Sequence, residues 1–195
     1  MEISIHPENT RRGNETGLEY MRYEQDYLQP GDTVLDLGAY EGEFARKIND
    51  KYGCHVICVE PTSAITGLQR NDSFTVINKA CATYNGKMRF GGQYYYTSAY
   101  QDGYSWRDFD CFDIATLFNR EYGLVKINIE GYEYDLLRYL LEGDLISLCR
   151  VLQIQFHFIS GRDSVSEYRA IYDKLLETHQ LQWCCDFVWE QWKKR

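Results

Sequence analysis

Asp36-Leu37-Gly38-Ala39-Tyr40-Glu41-Gly42 sets two glycines four residues apart just behind an acid. This D-x-G-x-x-x-G spacing differs from the G-x-G-x-x-G that cradles a pyrophosphate. Gly38 lets backbone approach a ligand closely, and on this reading a β-carbon there would obstruct the ligand more than it disturbs folding. Gly42 lets the next helix pack against the preceding strand. Glu41 and Glu43 stand where that helix opens, so carboxylates already answer part of its attraction for anions. A dinucleotide would meet repulsion there. A ligand with a sulfonium, an ammonium and no phosphate would not. Glu60 follows 24 residues after Asp36 and ends a second strand. A carboxylate so placed can accept hydrogen bonds from both hydroxyls of a ribose. The plainer alternative is an ordinary β-turn-α unit carrying surface acids.

A second constellation lies further on. Lys126, Asn128 and Glu130 alternate with Val125, Ile127 and Ile129, so the polar residues share one face of a strand. A central parallel strand covered on both sides should be nearly all apolar, which makes this row unusual. Lys126 and Glu130 would lie about 13 Å apart along an extended strand, too far to pair. The row is therefore expected to open into a polar cleft, with Gln153, Gln155 and His157 repeating the arrangement on a neighbouring strand. The alternative is a pair of half-exposed strands facing water. Between these regions, Tyr94 to Trp106 is rich in tyrosine. Such rings suit a sugar or aromatic ligand, and equally suit a packed hairpin.

Alternating strand and helix must position these groups. Thr16-Gly17-Leu18-Glu19 resembles a capping box opening a helix toward Leu28, which Pro30-Gly31-Asp32 stops. The strands expected are Thr33–Leu37, His55–Val59, Phe74–Ile77, Leu124–Ile129 and Val151–Phe156. A helix from about Gly42 to Tyr52 should close on Gly53 as a left-handed cap, and another should centre on Tyr134–Leu141. Ser164-Val165-Ser166-Glu167 reads as a second capping box, and Trp183–Trp192 as a closing hairpin. The fold class expected is α/β: a doubly wound, mostly parallel sheet with helices on both faces and an antiparallel C-terminal strand or hairpin. Residues 1–195 read as a single domain, with an N-terminal helical segment over 1–30 and a tyrosine-rich insertion or loop over 84–110.

Composition narrows the function classes. The 195 residues are 44% hydrophobic, as in globular proteins, and no run approaches a membrane span. The polar start of the chain has no apolar core of a signal peptide, which points to the cytoplasm. Seven cysteines without a C-x-x-C pair read as reduced thiols, not a metal site. The net charge of −8 argues against a nucleic-acid partner, which needs a basic face. His55 reads as a strand-end residue, and His6 and His179 as solvated positions.

The sequence resembles the FkbM-type methyltransferases. The resemblance rests on Pro30-Gly31-Asp32, Val34 to Gly42, Val59-Glu60-Pro61, Leu68, Asn71, Asn78-Lys79-Ala80 and Val125 to Glu133, with the strand ending in His157. It implies a class I fold and transfer of a methyl group from S-adenosyl-L-methionine, usually to a hydroxyl of a saccharide or other small molecule. By that resemblance Gly38, Ala39 and Tyr40 border the methionine part and Glu60 the ribose, while Pro61, Lys79 and Ala80 lie near the adenine. Asp36 and Asn128 complete the expected cofactor-binding set. The family usually shows Asp where this chain has Asn128, and Asn where it has Tyr40 or Glu41. A non-catalytic cofactor-binding module is the alternative function, and a nicotinamide oxidoreductase a more distant one. For deprotonating an acceptor hydroxyl, His157 is the first candidate, since an ordinary imidazole titrates near working pH. Glu130 is the second. The competing reading makes His157 a satisfied hydrogen-bonding residue and Glu130 a cap for the turn at Gly131.

Overall fold

The computed structural model describes residues 18–68, 71–93, 96–98 and 106–195. The proposed cap at Thr16-Gly17, His6 and most of the tyrosine-rich stretch lie outside them. Short β-branched and apolar runs form the sheet strands, as their composition favours. These are β1 (Thr33–Leu37), β2 (His55–Val59), β3 (Phe74–Ile77), β8 (Leu124–Ile127) and β9 (Val151–Ile154). All five are parallel, and the sheet is completed by β10 (His179–Cys185) and β11 (Trp189–Lys194) in the order β10-β11-β9-β8-β1-β2-β3. β11 runs antiparallel to both β9 and β10. The expected hairpin is present. β8 and β9 end two residues earlier than expected, so Asn128, Glu130 and His157 sit on the loops beyond them.

Helix α1 (Glu43–Tyr52) covers one face, burying Phe44, Ala45 and Ile48 against Val34, Val56 and Cys58. It closes on Gly53 with φ 66°, as expected. Helices α2 (Glu133–Glu142) and α3 (Ser164–Thr178) cover the other face, where Leu35, Leu37, Ile127, Ile154 and Trp192 meet Tyr134, Leu137, Tyr168 and Leu175. Arg162 ties the two helices by pairing with Asp135 and Glu167. The cap of α3 is Asp163, whose carboxylate accepts from Ser166 N–H at 3.2 Å, so the expected capping box begins one residue too late. Ser164 instead accepts from Ile159 N–H. His179 is fully buried, its Nε2 2.9 Å from the Cys149 carbonyl, because it opens a strand beside the core rather than a solvated loop. All seven cysteines are free. Among the described residues no helix is long and apolar enough to cross a membrane.

A polar row crosses the α1 face of the sheet. Asp36, Lys126, Gln153 and Gln191 are register neighbours on β1, β8, β9 and β11, and all four are buried. Lys126 Nζ lies 2.8 Å from Asp36 Oδ1, and Gln153 Nε2 donates to Gln191 Oε1 at 2.9 Å. The N-terminal segment closes the row, with Gln25 Nε2 donating to Gln191 Oε1 and Arg22 O accepting from Gln153. These strands are not half-exposed.

On the opposite face Glu190 is buried beneath α3. Burial pushes its carboxyl up to about 7, although Trp192 Nε1 and Tyr168 OH donate to it at 2.7 and 2.8 Å. The native state therefore holds this proton to a higher pH than the unfolded chain, so the contribution of Glu190 to stability declines as pH rises from 4.5 to about 7. Relative to wild type, Glu190→Gln should gain about 3 kcal/mol between pH 4.5 and 8 in urea unfolding. A difference between the two proteins that stays constant with pH would rule this out.

A second, smaller sheet rises over the carboxyl ends of the first. It has the order β4-β7-β5-β6, from β4 (Ala80–Ala82), β5 (Gly86–Gln93), β6 (Tyr96–Ser98) and β7 (Trp106–Asp113). The described residues of the expected 84–110 insertion include β5, β6 and most of β7. Lys87 pairs with Asp110 and Arg89 with Asp108 across β5 and β7, giving this sheet a charged outer face.

Candidate active site

Chain direction divides at β1: β2 and β3 follow on one side, and β8 and β9 on the other. Crevices at such switch points, outside the carboxyl ends of strands, are where open α/β sheets bind ligands. Here a cleft of about 930 Å³ opens between the β1, β2 and β8 ends and the second sheet. Gly38, Tyr40, Glu60, Pro61, Ala80, Asn128 and Glu130, all singled out from the sequence, line it.

Gly38 has φ 78°, and a β-carbon on it would lie 1.7 Å from the Asn128 carbonyl oxygen. The clash is with the neighbouring loop backbone, not with space for a ligand. A side chain at position 38 would therefore break the β1–β8 junction first, contrary to the expectation that folding would tolerate it. At Gly42 a β-carbon would press on Leu68 at 2.9 Å. Lys126 Nζ donates to Gly38 O at 2.7 Å and so ties the turn to the polar row. Asp36 lies below the cleft, fully buried in its pair with Lys126, and does not line it. Ala39 is also buried, its N–H donated to Val59 O, and Lys79 is exposed outside the lining.

Glu60 is buried, with each carboxylate oxygen accepting one backbone N–H: Oε2 from Tyr40 at 3.0 Å and Oε1 from Thr62 at 2.9 Å. Carboxylate oxygens can accept further bonds, so the clamped group is preorganised to take hydroxyls. Asn78 braces the same turn by donating to the carbonyls of Glu60 and Thr62. Across the crevice, Asn128 N–H donates to Leu37 O, while its buried Oδ1 has no hydrogen-bond partner among the described residues. A buried acceptor left in this state costs about 1–3 kcal/mol unless a donor reaches it.

Beyond β8, Glu130 adopts φ 54° and lines the cleft. Its Oε2 stands 3.5 Å from His157 Nε2, while His157 Nδ1 lies 2.7 Å from Glu133 Oε1. Glu133 is fully buried and also accepts from the backbone N–H groups of His157 and Gly131, at 2.6 and 2.8 Å. Burial works to lower the His157 pKa, but Glu133 and Glu130 outweigh it and hold the imidazolium above the ordinary 6.5. Burial raises the Glu130 carboxyl above 4.5, against the pull of His157. His157 does not itself line the cleft. Of the two candidates, Glu130 lines the cleft and His157 stands behind it in contact. The reading missed Glu133 as a separate participant, although an acid two residues after a loop glycine was visible. It also missed the second-sheet wall formed by Met88, Phe90, Arg107 and Phe109.

No family model and no curated protein matches the sequence. Solved structures do match the fold. A protein assigned as an rRNA methylase from Clostridium thermocellum aligns over 93% of this chain and 95% of its own, with a TM-score of 0.53 at 13% identity. The ribosomal protein L11 methylase of Lactobacillus delbrueckii subsp. bulgaricus aligns over 93% and 80%, with a TM-score of 0.51 at 16% identity. A protein assigned as an RNA methyltransferase from Pyrococcus horikoshii covers 93% and 83%, at 0.50 and 15%. The architecture of this chain, from its seven-stranded sheet to its antiparallel penultimate strand, is a Rossmann-like methyltransferase fold.

Proposed function

We propose that the chain is an S-adenosyl-L-methionine-dependent methyltransferase of the FkbM type, acting on a hydroxyl of a saccharide or other small molecule. The observation that carries this reading is the preorganised Glu60 carboxylate in a cleft that Asn128, whose Oδ1 has no hydrogen-bond partner among the described residues, also lines. These groups suit the cofactor: acceptor oxygens for ribose hydroxyls and for an ammonium, with no demand for a phosphate cradle. Glu60 would hold the ribose, Asn128 the amino acid end, and Pro61 and Ala80 the adenine. When bound, the cofactor supplies an electrophilic methyl group. Glu130 would accept the proton of the acceptor hydroxyl, with His157 and Glu133 holding it in place.

Methylation of RNA, the activity named for two of the proteins of similar fold, fits this chain less well. Its net charge is −8, and Arg107 is the single cation among the described residues that line the cleft. Phosphate contacts need a basic face. Calorimetric titration should show binding of S-adenosyl-L-methionine and none of NAD, and labelled methyl transfer separates an enzyme from a binding module. Glu60→Gln removes charge-assisted bonds, so cofactor affinity should fall at least about tenfold in a protein that still melts cooperatively. Undiminished affinity would remove Glu60 from the ribose site.

A further inference from the structure

The two faces of the second sheet treat charge differently. On the outer face, Lys87 and Arg89 each meet an aspartate across the strand pair. On the inner face, Met88 is paired with Phe109 and Phe90 with Arg107 in register, so these four side chains share the surface that walls the cleft. Arg107 therefore has an aromatic residue opposite it where the basic residues of the outer face have acids, and it forms no ion pair among the described residues. Phe90 and Phe109 stack edge to face beside it, with centroids 5.4 Å apart. The charges on the main-sheet side of the cleft are the carboxylates Glu41, Glu60 and Glu130. The cleft is thus polarised, with acids at the strand ends and one guanidinium on an apolar wall.

We infer that the methyl acceptor is a small hydroxylated acid whose apolar body lies against Phe90 and Phe109 and whose carboxylate or phosphate is held by Arg107. This rests on the methyltransferase reading of the cleft. A planar guanidinium takes either oxyanion through two parallel hydrogen bonds, which a lone ammonium cannot copy. An anion at Arg107 is also kept away from the acids at the strand ends, which leaves the hydroxyl end of the molecule to approach Glu130. At this wall the guanidinium favours an acceptor with an anionic end over a neutral analogue, which offers it no charge-assisted bond.

The test titrates protein loaded with S-adenosylhomocysteine, observed by NMR, with 4-hydroxybenzoate, 4-hydroxyphenyl phosphate and neutral 4-hydroxybenzamide. At least one anion should bind at least about tenfold more tightly than the amide. The stronger of the two identifies carboxylate or phosphate as the preferred group. Arg107→Gln should abolish the preference, and Arg107→Lys should retain part of it; the exposed position makes both variants fold. Equal binding of amide and acids, a preference that survives Arg107→Gln, or no binding of any probe to the loaded protein would overturn the proposal. So would a short RNA oligonucleotide that outcompetes both acids. Failure of wild-type protein to bind S-adenosylhomocysteine would instead remove the methyltransferase reading on which the proposal stands.

Discussion

Lys126→Met should cost about 3–5 kcal/mol of unfolding free energy, the largest stability loss expected from a single change beneath the cleft. Lys126 and Asp36 have side chains only 4% and 0% exposed, and their charges lie 2.8 Å apart. Removing the ammonium leaves a carboxylate in the core of the sheet with no opposite charge, and the protein must either protonate it or admit water. The Gly38 carbonyl loses its donor at the same time. Replacing both partners removes the buried charge altogether, so the Asp36→Leu, Lys126→Met double variant should recover most of the loss. Urea unfolding of the wild type, both single variants and the double variant supplies the complete cycle. A single-variant loss below about 1 kcal/mol, or a double variant no better than Lys126→Met alone, would show that the pair is not the keystone of the polar row.

That pair also marks where sequence reasoning stops. The strands, the β1 turn and Glu60 were legible because each is encoded locally, by an apolar run ending in glycine or acid. The unusual polar content of β8 was legible for the same reason. The partner of Lys126 was not, since Asp36 lies ninety positions away and only the β1–β8 register brings them together. Lys126 was accordingly assigned to the cleft, when it lies beneath it. The position of His157 behind the cleft has a similar origin: β9 ends at Ile154, and the three residues to His157 turn the ring back onto Glu133. Periodicity shows which residues alternate but not where a strand stops.

The second sheet also leaves a trace in the sequence. Lys87 and Arg89 alternate with apolar residues, as Asp108 and Asp110 do in the opposite sense, which is the pattern of an antiparallel pair with one charged and one apolar face. His179 was misjudged because a lone histidine carries no local sign of burial, and its partner is a backbone carbonyl thirty residues earlier.

Turnover is expected to fall by about 10²–10⁴-fold in Glu130→Gln, with the loss in kcat rather than in the KM for the cofactor, if this carboxylate takes the acceptor proton. The pH profile then separates its role from that of His157. Burial sets the Glu130 carboxyl above 4.5, so wild-type turnover should rise with pH along a limb lying above that value as the carboxylate ionises. The imidazolium 3.5 Å away is the strongest influence acting against burial, and it holds this limb lower than burial alone would place it. In His157→Gln that cation is gone, and the limb should move to higher pH while turnover at high pH recovers. A histidine that merely packs the loop would lower the plateau and leave the limb where it was. Glu133 acts one step further back. It is fully buried and supplies the charge and hydrogen bond that raise the His157 pKa, so Glu133→Gln should bring the His157 titration, followed by imidazole NMR, down to or below the ordinary 6.5. Full turnover in Glu130→Gln with an authentic acceptor would defeat the whole relay. Catalysis would then rest on holding the acceptor and the methyl group in near-attack geometry, which alone can supply several kcal/mol of the barrier.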